Sequence, residues 1–106
     1  MPKYLVQVNY IGEGIKGLLK EGGTSRRIAA NDLVKSVGGT MEAFYYAFGE
    51  TDVYVIAELP DNASMAALAL TLGASGAVTN KTTVLMTPEE LDGAVKMSPT
   101  YRAPGK

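Results

Sequence analysis

The order of patterns along this chain predicts an α+β sandwich: one antiparallel sheet, two helices on a single face of it, and a short extra helix near the C-terminal end. Three observations carry this. Segments around Lys3–Tyr10, Thr40–Phe48, Asp52–Leu59 and Ala77–Met86 have the alternation or the β-branched and aromatic content of strands. Two intervening segments, one with Ala30, Leu33, Val34 and Val37 at i, i+3, i+4, i+7 and one spanning Ala63–Leu72, read as helices. The resulting order is strand, helix, strand, strand, helix, strand.

The first strand, Lys3–Tyr10, sends Tyr4, Val6, Val8 and Tyr10 to one side and Leu5, Gln7 and Asn9 to the other. Gly12 and Gly14 break it, and Ile15, Leu18 and Leu19 begin a helical spacing. Gly22-Gly23 interrupts or kinks that helix, since each glycine weakens a helical interior by about 1 kcal/mol relative to alanine. Thr24 or Ser25 is suited to cap the restart, and Gly38-Gly39 to stop it. Gly49-Glu50-Thr51 turns the second strand into the third as a hairpin. Pro60-Asp61-Asn62 ends the hairpin, and Asp61 or Asn62 is placed to cap the next helix. Gly73 and Gly76 bracket the turn into the fourth strand. Thr87-Pro88-Glu89-Glu90 then combines an N-cap, a first-turn proline and a capping-box glutamate, announcing the extra helix. Residues 1–96 are expected to form one domain, and the Pro- and Gly-containing segment 97–106 an irregular tail.

With right-handed crossovers this is the split βαβ arrangement of the ferredoxin-like sandwich. If Val6, Val8, Val53 and Val55 face the helices, then Leu5, Gln7, Asn9, Tyr54 and Ile56 face away. The second strand adds either Phe44 and Tyr46 or Met41 and Tyr45 to that outer face. Such a surface is too apolar to face water over its whole area, and packing against a second copy would resolve it. A homodimer or higher homo-oligomer is therefore expected.

Composition excludes several chemistries. Ten basic and eleven acidic residues give a net charge of −1, which offers no electrostatic footprint for nucleic acid or an anionic membrane. Without cysteine there is no disulfide, thiolate nucleophile or zinc–sulfur site. Without histidine the usual acid–base group near neutral pH is missing, and so is any Ser-His-Asp arrangement within the chain. No metal or cofactor is implied. The alternating N-terminal segment and the lack of a stretch of ~20 apolar residues point to a cytoplasmic protein without membrane attachment.

Several short segments occur together in a recognisable order: Met1-Pro2-Lys3-Tyr4, Glu21-Gly22-Gly23 with Arg26-Arg27, Gly38-Gly39, Ala47-Phe48-Gly49-Glu50-Thr51-Asp52, Leu59-Pro60-Asp61 and Leu85-Met86-Thr87-Pro88-Glu89-Glu90. In these the chain resembles the GYD domain family, small bacterial proteins placed among the dimeric α/β barrels. The resemblance covers residues 3 to 91. It implies the same fold and an oligomeric habit, and it implies no particular reaction. The tyrosine of the family's Gly-Tyr-Asp signature is Thr51 here, so any role for a phenol at that point is unavailable.

Three groups of residues are candidate sites. In the expected topology, Asn9, Gly49 and Asp52 lie where the first strand meets the hairpin, with Tyr46 nearby. Asp52 there is either the acceptor of a small-ligand pocket or the cap of its own turn, the simpler role. Arg26 and Arg27, at the restart of the first helix, suit a carboxylate or phosphate, or pair with surface acids. Tyr4, Tyr10, Tyr45, Tyr46 and Tyr54 line an aromatic cavity or fill core and interface. The function these features favour is a homo-oligomeric domain that binds a small anionic or aromatic molecule or serves assembly. The alternative is a cofactor-independent enzyme working in the barrel cavity.

Overall fold

The structure, a computed structural model, describes residues 1–106. Its elements are β1 (Lys3–Tyr10), α1 (Gly14–Glu21), α2 (Gly23–Ser36), β2 (Thr40–Tyr46), β3 (Val53–Glu58), α3 (Asn62–Ala74), β4 (Val78–Leu85) and α4 (Pro88–Met97). The strands form one four-stranded sheet in the order β2-β3-β1-β4, with antiparallel pairing throughout. This is the ferredoxin-like α+β fold expected from the sequence. β1 and β3 lie at the centre, and their valines are the core. Tyr4, Val6, Val8, Val53, Val55, Ala57 and Leu59 are buried against Val34 of α2 and Met65 and Leu68 of α3. Only 13 of the 106 residues are buried, so the sheet has one covered face and one bare one.

Helix ends follow local chemistry. Asp61, not Asn62, caps α3: its Oδ1 accepts from the Ser64 backbone N–H and hydroxyl, both at 2.8 Å. Those bonds hold the Asp61 carboxyl below its ordinary pKa. Asn62 instead accepts the hydroxyl of fully buried Tyr4 at 2.6 Å, tying α3 to β1. The capping box at α4 forms as expected: Thr87 Oγ1 accepts from Glu90 N–H and Glu90 Oε1 from Thr87 N–H, each at 3.1 Å. Between α1 and α2 the chain breaks at Gly22, whose φ of 85° is a backbone state only glycine adopts cheaply. Gly22 is therefore itself the N-cap, and neither Thr24 nor Ser25 plays that part, because both already sit in the first turn.

The second strand departs from simple alternation. Met41 pairs with Ala57 but Ala43 with Ile56, so Glu42 is an extra residue in a β-bulge. The bulge shifts the side-chain phase. Met41 and Phe44 both pack on the helix-side core, whereas Ala43 and Tyr45 stand opposite Ile56 and Tyr54 on the bare face. Neither of the two expected pairs, Phe44 with Tyr46 or Met41 with Tyr45, reaches the bare face intact.

Gly14 marks the tightest junction. It is buried where α1 crosses the start of β4, and a Cβ there would overlap the carbonyl oxygen of Ala77. That carbonyl also accepts Ile11 N–H at 2.9 Å, so it cannot give way freely. Gly14→Ala is expected to destabilise the protein by about 1–3 kcal/mol through overpacking. Gly17→Ala, one turn later with open space around it, should be neutral or stabilising by up to about 1 kcal/mol. Urea denaturation of the two variants checks the contrast; equal midpoints would mean the junction relaxes without cost.

Candidate functional site

The two faces of the sheet carry different chemistry, and the candidate residues divide between them. On the bare face, Gln7, Asn9, Glu50, Thr51, Thr79, Asn80 and Lys81 surround a wholly polar recess of about 310 Å³. At its edge the β1–β3 ladder ends, and polar side chains finish it. Asp52 Oδ2 accepts the Tyr10 backbone N–H at 2.9 Å, while Asn9 Oδ1 accepts the Asp52 backbone N–H at 2.8 Å. Thr51 is buried and donates its hydroxyl to Gln7 Oε1 at 3.0 Å. Asp52 and Asn9 thus close strand ends, and the Asp52 carboxylate engages Tyr10 of β1 instead of the backbone of its own turn. Gly49 has open space where a Cβ would stand, and its φ is not positive.

The helix side contains the apolar space. A cavity of about 110 Å³ lies between the sheet and helices α2 and α3, with Val6, Val8, Val53 and Val55 as floor and Ala29, Ala30, Leu33 and Leu72 among its walls. Seventeen residues line it, sixteen of them hydrophobic; the exception is Arg26. The small side chains of Ala29 and Ala30 leave room that larger residues on α2 would fill. Tyr10 also reaches this space.

Tyr46 stands beside Arg26. Its hydroxyl donates to the Gly23 carbonyl at 2.9 Å, and its ring meets Phe44 edge-on with centroids 5.2 Å apart. Gly23 is required by that approach, since a Cβ would come within 3.0 Å of the Tyr46 ring. Burial raises the Tyr46 pKa, neighbouring Tyr10 raises it further, and Arg26 opposes both. Tyr46 is therefore a neutral hydrogen-bond donor at physiological pH. Arg26 is half-exposed and pairs with Glu21 at 3.6 Å. Arg27 diverges from it, opening toward the β2 edge beside Ile28 and Asn31.

The arginine pair is thus split, and the single cavity holding Asn9, Asp52 and Tyr46 does not form. Tyr46 faces the helices, and Asn9 faces the other way. The five tyrosines divide likewise. Tyr4, Tyr10 and Tyr46 belong to the helix side, whereas Tyr45 and Tyr54 are exposed on the bare face.

The family model of the GYD domain matches residues 4–95. The chain belongs to the GYD family. The match covers both the sheet and the helices that enclose the cavity, as well as nearly all of α4. A comparison with curated proteins finds no match. In this GYD protein Thr51 fills the signature position with a short hydroxyl turned toward Gln7. No helix is long and apolar enough to cross a membrane.

Sequence reasoning missed the helix-side cavity because valine and alanine positions read as ordinary core. The available signal was the Ala29-Ala30 pair opposite a β1 and β3 floor of four valines and one alanine, with Tyr10 at the strand end.

Two outcomes follow for these groups. Asp52→Ala should destabilise the fold by about 1–3 kcal/mol, because the partly buried Tyr10 N–H loses a charged acceptor. Asp52→Asn, which keeps an oxygen, should cost less; a fully stable Asp52→Ala protein in urea melts would remove the structural role. For Tyr46, the difference absorbance titration between native protein and Tyr46→Phe should show a midpoint above the ordinary 10.0 of a phenol. A midpoint at or below that value would mean the ring is not shielded.

Proposed function

We propose that this GYD protein is a homo-oligomeric domain that binds a small amphipathic anion, with the apolar part in the helix-side cavity and the anionic group at Arg26. The observation that carries this reading is an apolar, partly open space of about 110 Å³ whose only charged lining residue is an arginine. An apolar cavity of ~150 Å³ takes up benzene, so this one accommodates roughly a small ring or a branched group of about four to six carbons. It falls well short of the roughly 300 Å³ lower end of drug-sized sites. The Arg26–Glu21 pair is half-exposed, and such pairs contribute little, so a ligand carboxylate can displace Glu21 at small cost. The neutral Tyr46 hydroxyl lies close enough to Arg26 to sense its charge, but its one proton is given to the Gly23 carbonyl, so Arg26 is the donor available at the cavity.

The oligomeric part of the reading is supported by the bare sheet face. Tyr45 is 70% exposed there and Tyr54 38%, beside the partly exposed Leu5 and Ile56. Face-to-face packing of two such sheets would bury these groups together and enclose the polar recess around Lys81.

Benzoate, toluene and benzylamine form a discriminating probe set. Amide resonances of Ala30, Leu33 and Leu72 should shift with benzoate and toluene, and benzylamine should bind weakest. Arg26→Gln should weaken benzoate about tenfold, equivalent to about 1.4 kcal/mol, and leave toluene unchanged. Ala30→Leu should abolish binding of both by filling the space. Resonances unmoved by every probe at millimolar concentration would rule out the cavity as a binding site.

A further inference from the structure

Helix α4 is carefully specified yet covers nothing. It has a complete capping box and a first-turn proline, but none of its residues is buried. Leu91 is 56% exposed, Val95 72% and Met97 78%. Leu91, Ala94 and Val95 fall at i, i+3 and i+4, so they form one apolar stripe. A ten-residue helix in water is marginal without tertiary support, even when well capped. The outline of the molecule carries the same message. Its radius of gyration is 17.1 Å, where a compact chain of this length has about 13 Å, and its long axis is 59 Å. α4 and the tail beyond it stand off the sandwich.

A recess of mixed character lies at the opposite edge of the sheet. About 480 Å³ opens between α2 and the edge strand β2, lined by Ile28, Met41, Ala43, Phe44 and Tyr45 together with Arg27, Asn31 and Glu42. Arg27 has no ion-pair partner, whereas Glu42 in the same wall is held by Lys3 at 3.1 Å. The first turns of α4 carry Glu89, Glu90 and Asp92, opposite in charge to Arg27. The ladder also sets the level of the two features. Leu85, at the end of β4, is in register with Lys3; Lys3 is in register with Glu58, and Glu58 with Thr40 at the start of β2. The point where α4 departs and the point where the recess begins are therefore at the same end of the sheet, on opposite edges. A two-fold axis running along the strands of two stacked sheets brings the β4 edge of one protomer over the β2 edge of the other. α4 then leaves its own sheet beside the partner's recess.

We infer that α4 seats its Leu91–Ala94–Val95 stripe in the α2–β2 recess of a second copy of this chain, with its acidic first turns against Arg27 of the partner subunit. Each chain gives one helix and receives one, so the contact closes at two protomers. The inference rests on the homo-oligomeric reading proposed above.

The absence of native cysteine makes the test direct. Ala94→Cys protein mixed with Ile28→Cys protein under mild oxidation should give a disulfide-linked pair of one variant with the other, and little from either alone. Leu91→Asp with Val95→Asp alters only exposed side chains, so the sandwich should keep its circular dichroism while dimer dissociation strengthens at least tenfold in sedimentation velocity. A dimer of unchanged affinity and no mixed disulfide would overturn the role of α4 and leave the face-to-face dimer standing. A chain carrying both cysteines that closes on itself would also overturn it, by showing that the helix folds back. Native protein that stays monomeric at every concentration would instead overturn the oligomeric reading itself.

Discussion

The pairing of β1 with β3 holds the rest of this protein in place. Six consecutive residue pairs, from Lys3 opposite Glu58 to Val8 opposite Val53, align the valines that form the core on one face. Both ends of the ladder are secured outside the regular pattern. At one end Leu59 N–H donates to the Pro2 carbonyl at 3.0 Å; at the other, the Asp52 carboxylate takes the Tyr10 N–H. A slip of one residue would turn either Val6 and Val8 or Val53 and Val55 outward, so the two ends protect the register on which the buried contacts depend. Tyr4 extends the same lock to α3 through its hydroxyl bond to Asn62.

That pairing also determines which polar groups are free for chemistry. Asn9, Thr51 and Asp52 sit where turn residues often serve ligands, but the end of a central ladder leaves backbone donors that need partners; Asn9 and Asp52 supply them, and the Thr51 hydroxyl is given to Gln7. Uncommitted charge is found in Glu50 and Lys81 beside them and on the helix layer. Arg26 bounds the apolar cavity with only a weak partner in Glu21, and Arg27 has none. The separation of strand locks from cavity rim follows from alternation: residues adjacent along β1 look to opposite sides of the sheet.

Much of the fold was legible because local signals agreed. The alternation of Lys3–Tyr10 matches the limits of β1, and the capping box of α4 and the stop after Val37 lie in the residues themselves. The misses have identifiable causes. The bulge at Glu42 is invisible to a count of alternating residues, because an extra residue changes phase only through pairing with a partner strand. The second strand ends at Tyr46, short of the expected Phe48, whose side chain is fully exposed. The cavity escaped notice because alanine and valine spell the same apolar pattern whether the space between them is filled or empty.

The residues alone determined the order of elements, the lack of thiol and imidazole chemistry and the capping box of α4, because each depends on local stereochemistry or on which groups exist at all. Tertiary structure decided the division of the tyrosines between two faces, the parting of Arg26 from Arg27, the engagement of Asp52 with a backbone amide, and the unpartnered stance of α4. Those are distances between residues far apart in the chain. No period or spacing along a single strand or helix encodes them until the sheet is assembled and the helices are laid across it.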